Sequence, residues 1–151
     1  MRQEDTEPPK HYREDKTYML DANIFLEVEL GQDKSRDCEK LLRKIKSGEL
    51  KALTTDFIID SIIIVMENYG KTWKELRRFL SSLLLYRGLK LHHLTIPDRI
   101  TATQYLQEFR LDFDDATTYH TMKTHSIKEI ISYDAHFDRM PTVNRVTPKN
   151  L

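Results

Sequence analysis

The chain has 151 residues, 39% of them hydrophobic and 9% aromatic, which is enough for one domain with its own core and too few for two. Its 24 Lys and Arg residues balance 24 Asp and Glu residues, so any nucleic-acid binding needs a local basic patch. Cys38 is the only cysteine, which excludes an internal disulfide and any cysteine-based metal or redox motif.

The first 16 residues are polar, contain a Pro-Pro pair and show no periodicity, so they predict a flexible tail. A signal peptide would need an apolar core where this segment is charged, and no later apolar run approaches membrane-spanning length. We therefore expect a cytoplasmic protein without a membrane segment. Its folded domain is predicted over residues 17–147, and residues 148–151 are predicted to form a short C-terminal tail.

The folded part opens with a short apolar segment, Thr17–Leu20, which ends at Asp21 and leads into a second apolar stretch. This pattern predicts a strand that runs into a helix, and Asp21 at the junction is a natural N-cap. Residues 33–47 then carry apolar side chains at helical spacing and stop before Gly48, as an amphipathic helix does.

The middle of the chain predicts a strand and two helices. Residues 51–54 favour the strand, and residues 57–68, capped by Asp56, favour a buried helix closed by Gly70, although the β-branched run at 62–65 would by itself favour a strand. Thr72 and Glu75 have the spacing of a capping box, which predicts a second helix through Tyr86.

A third strand is predicted at residues 90–94, and Pro97 is placed to open a helix that extends to Phe109. His92 and His93 are adjacent on the strand, so their side chains point to opposite faces and cannot hold one metal ion together. The alternation of strands and helices predicts an α/β fold, a three-layer α/β/α sandwich around a mostly parallel central sheet.

Acidic residues flank the last helix–strand unit. Asp112, Asp114 and Asp115 stand at the start of the helix, where capping and the helix dipole favour acids whatever the function. Asp134 and Asp138 follow residues 130–132, a short apolar run that predicts a buried strand, and residues 144–146 predict one more strand.

Four carboxylates are predicted to converge, because each follows a strand or begins a helix at the same edge of the sheet: Asp21, Asp60, Asp115 and Asp134. Clustered carboxylates repel one another in a low dielectric, so they need protons or a cation. Hard oxygen ligands suit Mg²⁺ or Mn²⁺, which activate water and orient a phosphodiester. With no Gly-rich phosphate loop and no Gly-x-Ser-x-Gly elbow, metal-assisted phosphodiester hydrolysis is the reaction that this pattern favours.

Three motifs, YMLDANIF, FDDATTYH and SYDAHFDR, resemble in order and interval those of the PIN-domain ribonucleases, the family that includes the VapC-type toxins of toxin–antitoxin pairs. The resemblance covers roughly residues 17–146. It implies a PIN-like sandwich with an acidic pocket for Mg²⁺ or Mn²⁺ and RNA as the substrate.

The resemblance also implies roles for single residues. The catalytic and metal-binding roles would fall on Asp21, Asp115, Asp134 and Asp138, the last through a water molecule. Asn23 would support Asp21 by hydrogen bonding, and Ser132 would orient Asp134 or bind a phosphate oxygen.

The motif departs from the family at the second acid, because Ser61 stands where a Glu is usual. Asp60 is its neighbour, about 100° away on a helix, and substitutes only if the helix is rotated or the register shifts by one. Two hypotheses stay open: a metal-dependent endoribonuclease, the toxin whose antitoxin fills the acidic groove, and a catalytically weakened scaffolding module that binds protein or RNA. A flap-type DNA nuclease would need longer basic insertions. By analogy a homodimer is expected, with helix faces such as Leu80, Leu83 and Leu84 available to pair.

Overall fold

The structure is a computed structural model that describes residues 16–151, so the predicted N-terminal tail lies outside the described residues except for Lys16. Five strands form one sheet, close to the predicted bounds: β1 (Thr17–Leu20), β2 (Lys51–Thr55), β3 (Leu89–His92), β4 (Glu129–Ile131) and β5 (Asn144–Val146). The helices in this part of the chain are α1 (Ala22–Glu29), α2 (Ser35–Ser47), α3 (Asp56–Asn68), α4 (Trp73–Leu83), α5 (Ile96–Glu108) and α6 (Phe113–Thr124).

Two 3₁₀ helices complete the described chain. One, Ala135–Arg139, connects β4 to β5, and the other, Pro148–Asn150, occupies the region predicted as a C-terminal tail. Pro148 is buried, and the Lys44 ammonium donates a hydrogen bond to the carbonyl of Leu151. The end of the chain therefore packs against α2.

The helix boundaries follow the local signals of the sequence. Thr72 and Glu75 form the predicted capping box at the start of α4, and Gly48 ends α2 in a left-handed conformation with φ of 85°. The segment whose β-branched run left its type open is a helix, α3. Its start is fixed by Thr55, whose hydroxyl accepts a hydrogen bond from the backbone N–H of Ile58 at 3.1 Å.

The strand order is β3-β2-β1-β4-β5, and every neighbouring pair is parallel. The chain adds β2 and β3 on one side of β1 and then returns to add β4 and β5 on the other side. Right-handed crossovers in opposite directions place their helices on opposite faces of the sheet. Accordingly α1 packs against α2 and α3, while α5 packs against α6. This confirms the predicted α/β/α architecture.

The direction of strand addition reverses between β1 and β4. Leu20 of β1 pairs with Ile131 of β4, and the backbone N–H of Asp21 donates to the Ile131 carbonyl at 3.2 Å. In open parallel sheets, ligands bind outside the carboxyl ends of the strands at such a reversal. The residues that follow β1 and β4 therefore face the same crevice.

The core fixes both of these strand ends. Met19, Leu20, Ile130 and Ile131 are fully buried, and burying one such side chain contributes about 1.5–3 kcal/mol. Among the described helices, none combines the length and the apolar character that crossing a membrane requires.

Candidate active site

Asp21 lies at the junction of β1 and α1, where it caps the helix. Its Oδ1 accepts a hydrogen bond from the backbone N–H of Ala22 at 2.8 Å, and its Oδ2 accepts one from the Ser132 hydroxyl at 2.6 Å. Burial raises the pKa of Asp21 to about 6; these hydrogen bonds oppose the rise, and the charges of Asp114 and Asp134 add to it. The carboxyl group is thus held in place by two neutral hydrogen-bond donors.

Ser132, the residue after β4, connects three groups of the site. Besides donating to Asp21, its Oγ accepts hydrogen bonds from the Asp134 backbone N–H at 2.9 Å and from Asn23 Nδ2 at 3.3 Å. Asn23 Oδ1 is buried without a hydrogen-bond partner among residues 16–151. Ser132 thus contacts Asp21 directly, whereas Asn23 hydrogen-bonds to Ser132 and not, as predicted, to Asp21. One buried oxygen of Asn23 is left available as an acceptor or a ligand.

Asp115 enters the site from the first turn of α6. Its backbone N–H is capped by the Asp112 carboxylate at 2.9 Å, which confirms the capping role of Asp112. The Asp115 residue is 8% exposed. Burial, followed by the charges of Asp112, Asp114, Asp134 and Asp21, raises the pKa of Asp115 to about 7. The pKa of Asp115 is therefore raised further than that of Asp21, so near neutral pH the charge of Asp115 is the more strongly disfavoured of the two.

Asp134 begins the 3₁₀ helix Ala135–Arg139 and completes the group of acids. Its Oδ1 accepts a hydrogen bond from the His136 backbone N–H at 2.9 Å, and the His136 Nδ1 lies 3.3 Å from the same oxygen and 3.9 Å from Asp115 Oδ2. We define the acid cluster as Asp21, Asp114, Asp115 and Asp134. Three of its members were predicted as site residues.

The sequence interpretation did not assign a site role to Asp114 or His136. Burial and then the charges of Asp112 and Asp134 raise the pKa of Asp114 as well. The signal for Asp114 was present in the run of acids at the start of α6, but capping explained those acids equally well. The signal for His136 was its position two residues after Asp134 in a tight turn.

Other predicted site residues lie apart from the acid cluster. Asp138 is exposed, and Arg145 Nε and Nη2 donate to its two oxygens at 2.9 Å and 3.2 Å, which lowers the pKa of Asp138. Asp60 is also exposed. Ser61 is half-buried, and its hydroxyl donates to the Phe57 carbonyl of its own helix at 2.9 Å. In this arrangement α3 contributes no carboxylate to the cluster.

A second group of titratable side chains lies further along α6. Asp98 Oδ2 is 3.1 Å from His92 Nε2, its Oδ1 is 2.9 Å from His120 Nε2, and His92 Nδ1 is 3.0 Å from His125 Nε2. We call these four residues the histidine cluster. His93 instead lies near Asp56, on the other side of β3, as the alternation of strand side chains predicts.

Within residues 16–151, no group of three or more His, Cys, Asp or Glu side chains is arranged so that it could hold a metal ion. The donor chemistry of the acid cluster nevertheless fits a hard cation, since its ligands are carboxylate oxygens with the buried Asn23 Oδ1 nearby. Mg²⁺ usually keeps several waters and binds through one or two carboxylates plus substrate phosphates. A site of this composition does not need three protein ligands.

Comparisons with known proteins agree with this geometry. Residues 18–143 match the family model of the PIN domain. No curated protein matches the chain in sequence.

Three solved structures have a similar fold. A toxin–antitoxin complex from Klebsiella pneumoniae is 17% identical with a TM-score of 0.64, covering 87% of this chain and 97% of that one. VapC20 from Mycobacterium tuberculosis, a toxin that cleaves the sarcin–ricin loop, is 15% identical with a TM-score of 0.63, covering 78% and 89%. VapBC2 from Rickettsia felis, bound to a DNA fragment from its promoter, is 12% identical with a TM-score of 0.62, covering 87% and 98%. At such identities the likeness is one of fold alone.

Proposed function

We propose that this chain, which belongs to the PIN domain family, is a metal-dependent endoribonuclease that hydrolyses phosphodiester bonds of RNA with Mg²⁺ or Mn²⁺. The observation that carries this proposal is the acid cluster itself. Four carboxyl groups from three parts of the chain meet beyond β1 and β4, and burial followed by their mutual repulsion raises the pKa of Asp21 and Asp115. A divalent cation would relieve this repulsion, and it is the reagent that such a reaction needs.

Asp21 and Asp115 would hold the ion, with Asp134 binding through water, since burial raises the pKa of both Asp21 and Asp115 and the charge of Asp134 acts on each of them. When bound, the ion would supply a water of lowered pKa and charge to stabilise the phosphoryl oxygens. Ser132 would orient Asp21 through its 2.6 Å hydrogen bond and fix the turn that carries Asp134. Asp138 would act at most indirectly, because its carboxylate is engaged by Arg145.

A second candidate function is a scaffolding module of weakened activity that works through protein or RNA contacts. The arrangement of α3 favours it, because Ser61 bonds to its own helix and Asp60 faces solvent. One carboxylate fewer lowers the negative charge of the pocket and so lowers its affinity for a cation.

The proposal extends to partners and compartment through the similar structures, which include toxin–antitoxin complexes. In this reading the chain is the toxin of such a pair and acts on cytoplasmic RNA until an antitoxin protein covers the acidic groove. A homodimer is the expected assembly. Leu80 and Leu84 on and beside α4 are 41% and 88% exposed, which makes this helix face available for pairing, with the less exposed Leu83 beside them.

The test is cleavage of a mixed RNA pool by the purified protein with Mn²⁺, with Mg²⁺ and with EDTA. Asp21→Asn and Asp115→Asn should each abolish metal-dependent cleavage, whereas Asp33→Asn, at an exposed position before α2, serves as the matched control and should cleave like wild type. Asp60→Asn should also retain activity.

The two functions differ in the binding of Mn²⁺, followed by calorimetry. A nuclease binds the ion and loses it with either Asn substitution in the acid cluster. A folded wild-type protein that neither binds Mn²⁺ nor cleaves RNA would rule out the enzyme and leave the scaffolding module.

A further inference from the structure

A cavity of about 160 Å³ opens beside the acid cluster. It lies between the loop that precedes α6 and the 3₁₀ helix Ala135–Arg139, and its walls are formed by Arg110, Leu111, Asp112, Asp115, His136 and Arg139. The cavity is large enough for several water molecules or for one phosphate group. Because Asp115 is part of its wall, a ligand in it lies directly next to the carboxylates proposed to hold the ion.

Two arginines line this cavity from opposite sides. Both Arg110 and Arg139 are exposed, and neither guanidinium has an ion pair or a side-chain hydrogen bond with any residue in 16–151. Arg145 in the same region differs, because its guanidinium is bound to Asp138. The charges of Arg110 and Arg139 are therefore available to a ligand.

The backbone at Arg110 also indicates that this side chain is not there for packing. Arg110 has a φ of 53°, a left-handed conformation that glycine adopts more easily than any L-residue. The turn places Leu111 in the core, where it is 6% exposed, and leaves the arginine head outside. A glycine would suit this backbone position, so the arginine is better explained by its charge.

We propose that this cavity is a phosphate subsite for RNA, in which Arg110 and Arg139 bind the oxygens of a backbone phosphate adjacent to the one that is cleaved. A guanidinium matches the phosphate oxygens with two parallel N–H donors, and two of them offset the repulsion between the acid cluster and a polyanion. The subsite supplies the local basic patch that a chain of zero net charge needs to bind nucleic acid. The inference rests on the proposed function, since it takes RNA as the substrate.

The experiment is equilibrium binding of a fluorescein-labelled single-stranded RNA, measured by anisotropy in EDTA over a range of salt concentrations. EDTA removes the divalent ion, so the measurement does not depend on cleavage. The variants are Arg110→Gln, Arg139→Gln and the double substitution. The matched control is Arg87→Gln, an exposed arginine just before β3 at the opposite end of the sheet.

Each cavity substitution should weaken binding about fivefold and reduce the slope of log K against log salt by about 0.7, the contribution of one phosphate contact on a single strand. Arg87→Gln should change neither value. Arg110→Gly should lose the same RNA affinity without a lower melting temperature, because glycine tolerates the positive φ. This variant separates lost contacts from lost folding.

The subsite is disproved if wild-type protein fails to bind RNA at low salt, or if the cavity variants bind as wild type or no more weakly than Arg87→Gln. Unchanged binding together with cleavage that depends on Asp115 would leave the nuclease standing without this subsite. Arginine-dependent binding without any cleavage would keep the subsite and reject the nuclease.

Discussion

Helix α6 carries two groups of titratable side chains that follow opposite electrostatic rules. At its start, Asp114 and Asp115 face other carboxyl groups, and His136, whose Nδ1 lies 3.9 Å from Asp115 Oδ2, has a side chain that is 59% exposed. In its second half, His120 Nε2 donates a hydrogen bond to Asp98 Oδ1, and Asp98 Oδ2 also meets His92 and the backbone N–H of Thr95.

The pKa values record this difference. Burial and like charges raise the pKa of Asp115, whereas the Thr95 backbone N–H, His120 and then His92 hold the pKa of Asp98 far below its ordinary range. A carboxylate with several donors stabilises the fold, while carboxyl groups that face each other destabilise it until a cation arrives. The histidine cluster is therefore expected to stabilise the fold, and the acid cluster is expected to lower its stability in the absence of a cation.

The largest effect that tests this contrast is expected from Asp115→Asn. Metal-dependent cleavage should fall by at least ~100-fold, because the variant loses a proposed ligand of the ion. In EDTA near neutral pH, the free energy of unfolding measured with urea should rise, because one repelling charge has been removed.

Asp33→Asn provides the baseline for both measurements. A loss of stability in Asp115→Asn would show that the acid cluster, like the histidine cluster, holds the fold together, and the contrast would be lost.

For Asp98→Asn, the change in the free energy of unfolding is expected to have the opposite sign. The substitution keeps the shape of the side chain but removes its charge from three hydrogen-bonded partners, so the free energy of unfolding should fall by about 1–3 kcal/mol. Affinity for Mn²⁺, measured by calorimetry on the folded protein, should stay as in wild type. A weakened affinity would instead connect the histidine cluster to the site through α6.

The pH dependence of stability in EDTA sharpens the contrast. The pKa values of Asp21 and Asp115 are about 6 and about 7 in the folded protein against 3.8 ordinarily. The folded state therefore holds protons that the unfolded state has lost, and stability falls as pH rises from about 4 to about 7, by at most ~1.4 kcal/mol per pH unit for each proton. Asp98 changes stability in the opposite direction. The stability that it contributes is present above pH 3.8 and is lost as the pH falls below that value.

Urea unfolding at several pH values in EDTA measures these slopes. Asp115→Asn should flatten the decline between about pH 4 and about pH 7, while Asp98→Asn should remove part of the loss in acid. Equal slopes in wild type and Asp115→Asn would contradict the raised pKa of Asp115.

The sequence was sufficient for the fold and for bringing together three of the predicted acids, but not for Asp60 or Asp138. Short apolar runs that each end in a polar residue predicted the strands, and the rule that parallel strands end at one edge brought Asp21, Asp115 and Asp134 together. These are local patterns combined with one general property of parallel sheets. They do not depend on which side chains meet across the molecule.

Asp138 illustrates what a local pattern does not contain. The resemblance implied that Asp138 reaches the ion through a water molecule beside Asp134, but the segment is a 3₁₀ helix with about three residues per turn, so residues four apart point in different directions. Arg145, from a strand that follows in the chain, then binds the Asp138 carboxylate. Its role as an acid of the site stays a prediction.

The histidine cluster depends on contacts that are distant in sequence. Pairs of its members are separated by 22 and 33 residues, and the packing of α5 against α6 brings Asp98 to His120. The sequence argument that His92 and His93 point apart was sound, yet it does not indicate where His92 finds its partners. Such pairings follow from tertiary packing, which residue spacing does not encode.

The smallest effect, and the most specific one, is expected from Ser132→Ala. Ser132 gives the acid cluster a hydroxyl donor to a carboxylate, beside the backbone N–H groups of Ala22 and His136. Without that hydroxyl, the pKa of Asp21 should rise by about one further unit, and affinity for Mn²⁺ should fall by roughly tenfold. The ¹³C shift of the Asp21 carboxyl group, titrated by NMR in EDTA, measures the first quantity directly.

Thr54→Val is the matched control, because it removes another buried hydroxyl, one that donates to the Leu20 carbonyl at 3.3 Å. If both variants shift the Asp21 titration equally, Ser132 acts only through packing. If only Ser132→Ala shifts it, a single hydroxyl sets how readily this acid gives up its proton to a cation.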